Sequence, residues 1–278
     1  MIQLGVNYCA ELVTLAQDPD INFQYVKVGD WLEQSIPYAM AQFPDKTLLY
    51  HCNSLIQHDS AGTQALVTTL HHWQQRTGCP WLSAHLDQYT LEETRAYFHD
   101  GRPLPEYSEV AAFDLICSKV EAIKPHLAVP LLLENMPHWP TSDPDPATSS
   151  NFITRVLDET QCDLLLDLAH ARISAENLGR DVYAYLEELP LEQVVEIHVS
   201  GPRYENGWWH DYHDTLQAED YALLEWVLWR SAPRVVTMEY WKDIAQVRAQ
   251  LLRLSQLTAR ADQWNTGNRP NCERNWAG

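Results

Sequence analysis

"CDLLLDLAHARISAEN", Cys162–Asn177, is the stretch whose reading decides the fold. A run of leucines, Leu164–Leu166, ends on Asp167, and His170 follows three residues later. An unbroken apolar run this short reads as a strand buried on both faces, the kind found in parallel sheets. Its polar end is either a helix cap or part of a binding site. One copy cannot distinguish these, so the pattern has to be sought along the chain.

It recurs. Candidate strands are IQLGVNY (2–8), QYVKVGD (24–30), TLLYHC (47–52), WLSAHL (81–86), VPLLLEN (129–135), CDLLLDL (162–168), VVEIHVSG (194–201) and RVVTMEY (234–240). Amphipathic stretches such as GTQALVTTLHHWQQRTG (62–78) and EVAAFDLICSKVEAIKPH (109–126) lie between them. Eight strand–helix units in about 250 residues predict an α/β chain forming one (β/α)8 TIM barrel over residues 1–258. A doubly wound open sheet is the rival, but no Gly-rich turn follows the first strand. Residues 259–278 read as a polar C-terminal tail.

Bulk properties narrow the function. The 278 residues are 45% hydrophobic, enough for a full core. Nineteen Lys and Arg stand against 38 Asp and Glu, a formal charge of −19 that repels phosphate backbones and argues against nucleic acid as a partner. The six cysteines are scattered, with no CxxC pair, which excludes a zinc ribbon and fits a reducing compartment. MIQLGVNY is a strand rather than a signal peptide, and no apolar run approaches the ~20 residues of a membrane span. The expectation is a cytoplasmic chain with no membrane association.

The strand ends carry the chemistry. They present His51, His85, Glu134, Asp167 with His170 just beyond, His198 and Glu239, and "HDYHD" after the seventh strand adds Asp211 and His213. In a barrel these ends converge on one face. Four carboxylates stay ionised together in a partly dry bowl only if cations compensate. Imidazoles beside carboxylates are ligands for zinc, iron or manganese, and nine groups exceed one ion's coordination, so two or three ions are expected. A lone histidine at a strand end is more often a satisfied cap; six strands ending alike point to metal. His71 and His72 fall in a helix, and His58, His99, His126 and His138 lack the strand-end position. His210 only adjoins the ligand loop.

The order His, His, Glu, Asp-x-x-His, His, Asp-x-His, Glu is similar to the trinuclear site of the xylose-isomerase-like barrel superfamily, to which endonuclease IV belongs. By that resemblance Glu134 bridges two metals, with His51 and His85 completing the first. Asp167, His198 and Glu239 hold the second, and His170, Asp211 and His213 the third. "LLLENMP", "CDLLLDLAHARISAEN", "YLEELPLEQVVEIHVSGP", "HDYHD" and "VVTMEYWKD" resemble one branch, the multinuclear non-haem iron-dependent oxidative enzymes (MNIO), most densely from Val129 to Asp243. The resemblance implies an oxidoreductase using two or three iron ions and dioxygen to modify cysteine in a ribosomally synthesised precursor peptide, with a small leader-binding partner protein. It gives Glu134, Asp167 and Glu239 catalytic roles. Ala169-His170 replaces the Asn-Asn of many relatives, and Pro202 stands where they carry histidine.

Asn7, Asn135, Trp208, Trp209 and Tyr240 are candidate substrate-binding residues, each equally readable as packing. Two other classes share the ligand pattern. A trinuclear zinc phosphodiesterase is opposed by the acidic charge, and a sugar isomerase or epimerase by the surplus of ligands. A non-enzymatic metal scaffold is the remaining option. Cys272 in the tail reads as a surface cysteine rather than a self-substrate.

Overall fold

The computed structural model describes residues 1–57, 59–139 and 145–268. His58, Cys272 and the rest of 269–278 therefore lie outside the described residues. Eight parallel strands close into a barrel. They are β1 (Gln3–Asn7), β2 (Tyr25–Gly29), β3 (Thr47–Cys52), β4 (Leu82–Leu86), β5 (Leu131–Asn135), β6 (Asp163–Asp167), β7 (Val194–Val199) and, after a hairpin of β8 (Gly201–Glu205) and β9 (Trp208–Asp214), β10 (Val235–Met238). Strand β1 pairs with both β2 and β10, which seals the ring and leaves no open edge.

Helices α1 (Leu12–Leu15), α2 (Ile36–Gln42), α3 (Ser60–Thr77), α4 (Leu91–Asp100), α5 (Glu109–Ile123), α6 (Ser150–Thr160), α7 (Leu168–Asn177), α8 (Val182–Glu187), α9 (Ala218–Leu228) and α10 (Ile244–Asn268) lie between and after the strands. Their starts are written locally. The Thr90 hydroxyl and Glu93 form a reciprocal capping box on α4, and Ser149 caps α6. The expected tail begins later than position 259, because α10 runs to Asn268 with Leu257, Thr258 and Ala261 buried. No helix among the described residues is long and apolar enough to cross a membrane.

Period-two alternation divides each strand between an outer face, packed on the helices, and an inner face. The inner faces stack in layers. At the bottom Tyr25, Leu49, Trp81, Leu132, Leu165, Val195 and Val235 form a separate buried cluster. Two residues further along β2, β4 and β10, and one further along β7, the inner positions turn polar, with Lys27, Ser83, Thr237 and Glu196, all buried. Gly5 completes this layer, since a Cβ there would come within 2.6 Å of Thr237 Oγ1. Asn7, His85 and Glu239 stand two residues beyond Gly5, Ser83 and Thr237, and His51, Glu134 and Asp167 two residues beyond the floor residues Leu49, Leu132 and Leu165. A register shift between β6 and β7 pairs Leu164 with Val194 but Leu165 with Glu196, so Val195 is the extra residue. That shift lets Val195 join the apolar floor while His198 still comes level with Asp167.

Candidate metal centre

The top layer meets at the C-terminal mouth of the barrel. Glu134, at the end of β5, is its middle. Its Oε2 lies 3.4 Å from His51 Nε2 and 4.0 Å from His85 Nε2. Its Oε1 lies 3.2 Å from His198 Nδ1 and 3.5 Å from His170 Nδ1. Two sets, His51–His85–Glu134 and Glu134–Asp167–His198–Glu239, have donor atoms all within 4.8 Å of one another. Glu134 belongs to both.

The remaining candidates join by pairs. Asp211 Oδ2 is 3.4 Å from His170 Nε2 and 3.1 Å from His213 Nδ1, while His213 Nε2 reaches Glu239 Oε2 at 3.3 Å. His170, Asp211 and His213 do not form a third set as tight as the other two among the described residues. His213 instead links Asp211 to Glu239. It sits at φ 43°, a left-handed backbone unusual for a residue with a side chain, at the end of the β8–β9 hairpin. The ligand loop expected after the seventh strand is this hairpin; its turn, Asn206 and Gly207 at positive φ, swings Asp211 and His213 back over the mouth.

Asp167 resolves the two readings of its motif by being both. One oxygen accepts from the His170 backbone N–H at 2.7 Å and caps α7. The other, Oδ2, is buried without a hydrogen-bond partner. The same is true of His51 Nε2, Glu134 Oε2 and His198 Nε2. Each such orphan costs about 1–3 kcal/mol; His198 Nε2 faces Glu196, while a shared cation would satisfy the lone pairs of Asp167 Oδ2, His51 Nε2 and Glu134 Oε2. The set fits divalent metal.

The rings are held for the purpose. His51 Nδ1 lies 2.9 Å from Ser83 Oγ, leaving Nε2 toward Glu134. His170 Nδ1 donates to the Asn135 carbonyl at 2.8 Å, leaving Nε2 toward Asp211. His198 Nε2 lies 3.3 Å from Glu196 Oε1, within ion-pair range though without the alignment of a hydrogen bond. Glu196 is itself fixed by Trp81 Nε1 at 2.7 Å and Thr237 Oγ1 at 2.5 Å. Removing a carboxylate that orients a ligating histidine typically weakens metal binding about 10–100-fold. We expect that loss for Glu196→Gln, measured by competition against a chromophoric chelator. Unchanged affinity would show that Glu196 does not act through His198.

The electrostatics divide the histidines. Burial keeps the His51 and His85 rings neutral, His85 down to about 4. For His198 and His213 burial is outweighed by carboxylates, Glu239 and Glu134 for the first and Asp211 and Glu239 for the second, lifting them to about 10 and about 9. Burial pushes Asp167 up to about 7, with Glu134 and Glu239 adding to it against the pull of His170. Glu134 and Glu239 are held well below the carboxylate range by cations facing them, despite their burial. A ring that holds a proton between two carboxylates is a ring where a metal cation would be equally welcome.

A cavity of about 390 Å³ opens above the centre, lined by Asn7, His51, His85, Glu134, His170, Asp211, His213 and Glu239 below and by Trp31, Phe98, Trp139, Trp241 and Arg95 higher up. Of the five candidate substrate-binding residues only Asn7 lines it. Asn135 is fully buried and spends its amide on the backbone N–H and C=O of Asp167. Trp209 lies under the Arg172 guanidinium, with its backbone N–H on Asn177; Trp208 packs near His138, and Tyr240 is buried. Lys27, Glu196 and the aromatic rim are the groups missed from the sequence. Glu196 was within reach, because it sits two residues before His198 and so on the same face of β7.

Comparison with known proteins matches residues 3–262 to the family of the RiPP (ribosomally synthesised, post-translationally modified peptide) precursor modification enzyme MbnB/TglH/ChrH. A UPF0276 protein of Caulobacter vibrioides is 31% identical over 190 residues, 68% of this chain and 65% of that one. Another, from Paraburkholderia phytofirmans, is 33% identical over 178 residues, 60% of this chain and 56% of its own. The matches thus span less than two thirds of these relatives' length. Among solved structures, 3-keto-D-glucoside 4-epimerase YcjR from E. coli aligns with a TM-score of 0.57 over 93% of this chain and 100% of its own, at 11% identity. A xylose isomerase-like TIM barrel protein from Mycobacterium smegmatis aligns at 0.56, covering 94% and 98%, at 10% identity. These two share the fold.

Proposed function

The chain belongs to the MbnB/TglH/ChrH family of RiPP precursor modification enzymes, and from that premise we propose that it is an iron- and dioxygen-dependent oxidoreductase acting on cysteine residues of a ribosomally synthesised precursor peptide. The observation that carries this reading is the convergence of nine imidazoles and carboxylates at one mouth, Glu134 in their middle, with buried orphan atoms on His51, Glu134 and Asp167. His51, His85 and Glu134 would hold one ion; Asp167, His198 and Glu239 would share Glu134 in holding another; His170, Asp211 and His213 would complete the set. Iron supplies, when bound, the redox chemistry with dioxygen that no amino-acid side chain provides.

The protein's own part is positioning and exclusion. Glu134 presents its two oxygens to different histidines, so one carboxylate serves both sides of the centre. The cavity admits a side chain rather than a folded domain, which suits an extended peptide laid across the mouth. Trp31, Phe98, Trp139 and Trp241 frame the entrance with apolar surface that sheds water from the reacting group. A −19 chain repels polyanions, which favours this reading over a phosphodiesterase. A small partner protein capturing the peptide leader belongs to the same proposal.

The test is direct. The chain, loaded anaerobically with ferrous iron, is mixed with a cysteine-containing precursor peptide encoded beside its gene and exposed to oxygen. The expected result is oxygen consumption with a mass change confined to cysteine. A zinc-loaded chain that nicks abasic DNA, with an unchanged peptide under iron and oxygen, would overturn it.

A further inference from the structure

Lys27 is a buried charged group that the strand-end motif does not include. It projects from β2 into the barrel, 3% exposed, with its ammonium on Glu239 Oε1 and 3.3 Å from His198 Nδ1. The Trp31 ring, 5.5 Å away, closes its solvent side. A buried lysine is costly unless opposed by negative charge, and here Glu239, Glu134 and Glu196 all act on it.

The atoms Lys27 engages are atoms an ion would use. Glu239 belongs to the second close donor set, and the Lys27 ammonium already opposes its charge. The charge count agrees. Glu134, Asp167, Asp211, Glu239 and the supporting Glu196 make five carboxylates; Lys27 reduces their charge to −4. Two divalent ions cancel that, whereas three would leave an excess of +2 in a low-dielectric bowl.

We propose that Lys27 is a built-in cation of the centre, seated beside Glu239 and His198, whose charge stands in for that of one metal ion, so that this chain holds two ions and not three. The inference rests on the metal-dependent reading above and deepens it. It makes the centre's ion number a property of β2, a strand that supplies none of the nine candidate ligands.

The experiment counts ions. Wild-type chain and the variants Lys27→Met and Lys27→Arg are stripped with chelator, reloaded with zinc and examined by native mass spectrometry. Expected are two ions per wild-type chain, two in Lys27→Arg and three in Lys27→Met. Any wild-type count other than two overturns the proposal, as does a count of two in folded Lys27→Met. If Lys27→Met does not fold, the wild-type count and that of Lys27→Arg still decide. A chain that binds no ion removes the metal-dependent function itself; a chain that binds three removes only the role of Lys27.

Discussion

Replacing Glu134 with alanine is expected to leave at most one ion per chain and to cut peptide-modifying turnover about a thousandfold. Both close donor sets contain Glu134, so its loss opens them together rather than one at a time. Its removal leaves His51, His85, His170 and His198 facing one another with no anion between them. A unit charge about 4 Å from another at an effective dielectric near 20 is worth about 4 kcal/mol, which corresponds to about three decades in a rate or binding constant. Glu134→Gln separates charge from shape, because it keeps the volume and one acceptor while losing the charge. Both variants should be read by metal analysis and by turnover. Full metal occupancy in Glu134→Ala would take the shared role away from this residue.

Much of this site is written at strand ends, and that is why it can be read without coordinates. A leucine run ending on Asp167 places a carboxylate where a barrel strand meets its helix, and His51, His85 and His198 repeat the device. What stayed hidden has definite physical causes. Lys27 looks like the polar member of an ordinary alternation in QYVKVGD; only closure of β1 onto β10 and β2 turns its side of the strand inward. Asn135 carries the functional group of a substrate-binding residue, yet both ends of its amide are taken by Asp167. The hairpin has its own signal in the sequence, for Asn206-Gly207 between Glu205 and Trp208 is a two-residue turn, and both residues have positive φ. The tail boundary was misplaced because a polar helix surface resembles a polar extension, and the buried face of α10 appears only at every third or fourth residue.

The stability lost on stripping the metal should grow with pH, and the charged groups give the sign. In the metal-free chain Asp167, His213 and His198 hold their protons up to about 7, 9 and 10, above the unfolded values of about 3.9 for Asp and 6.5 for His. A group whose folded value is raised stabilises fully below its unfolded value and loses that contribution as pH climbs through the folded one. For Asp167 the loss falls between about pH 4 and 7, and for the two histidines between about pH 6.5 and 10. Glu134, Glu239 and Asp211 are shifted down, so their contribution is lost only in acid and is constant across this window. His51 and His85, also shifted down, disfavour the fold only below about pH 6.5. Above about pH 7, then, only losses remain. Taking His213 alone, a rise to about 9 is worth about 3 kcal/mol in all, of which about 2 kcal/mol, or roughly 6 °C in Tm for a chain of this size, is lost between about pH 7 and 9. The loaded chain should behave oppositely, since ions displace those protons and bind more tightly as pH rises. Thermal melts with and without chelator across that range should therefore show a widening gap in Tm. A gap that stays constant or narrows would mean that no proton competes with metal at His198 or His213, and would strike both from the ligand set.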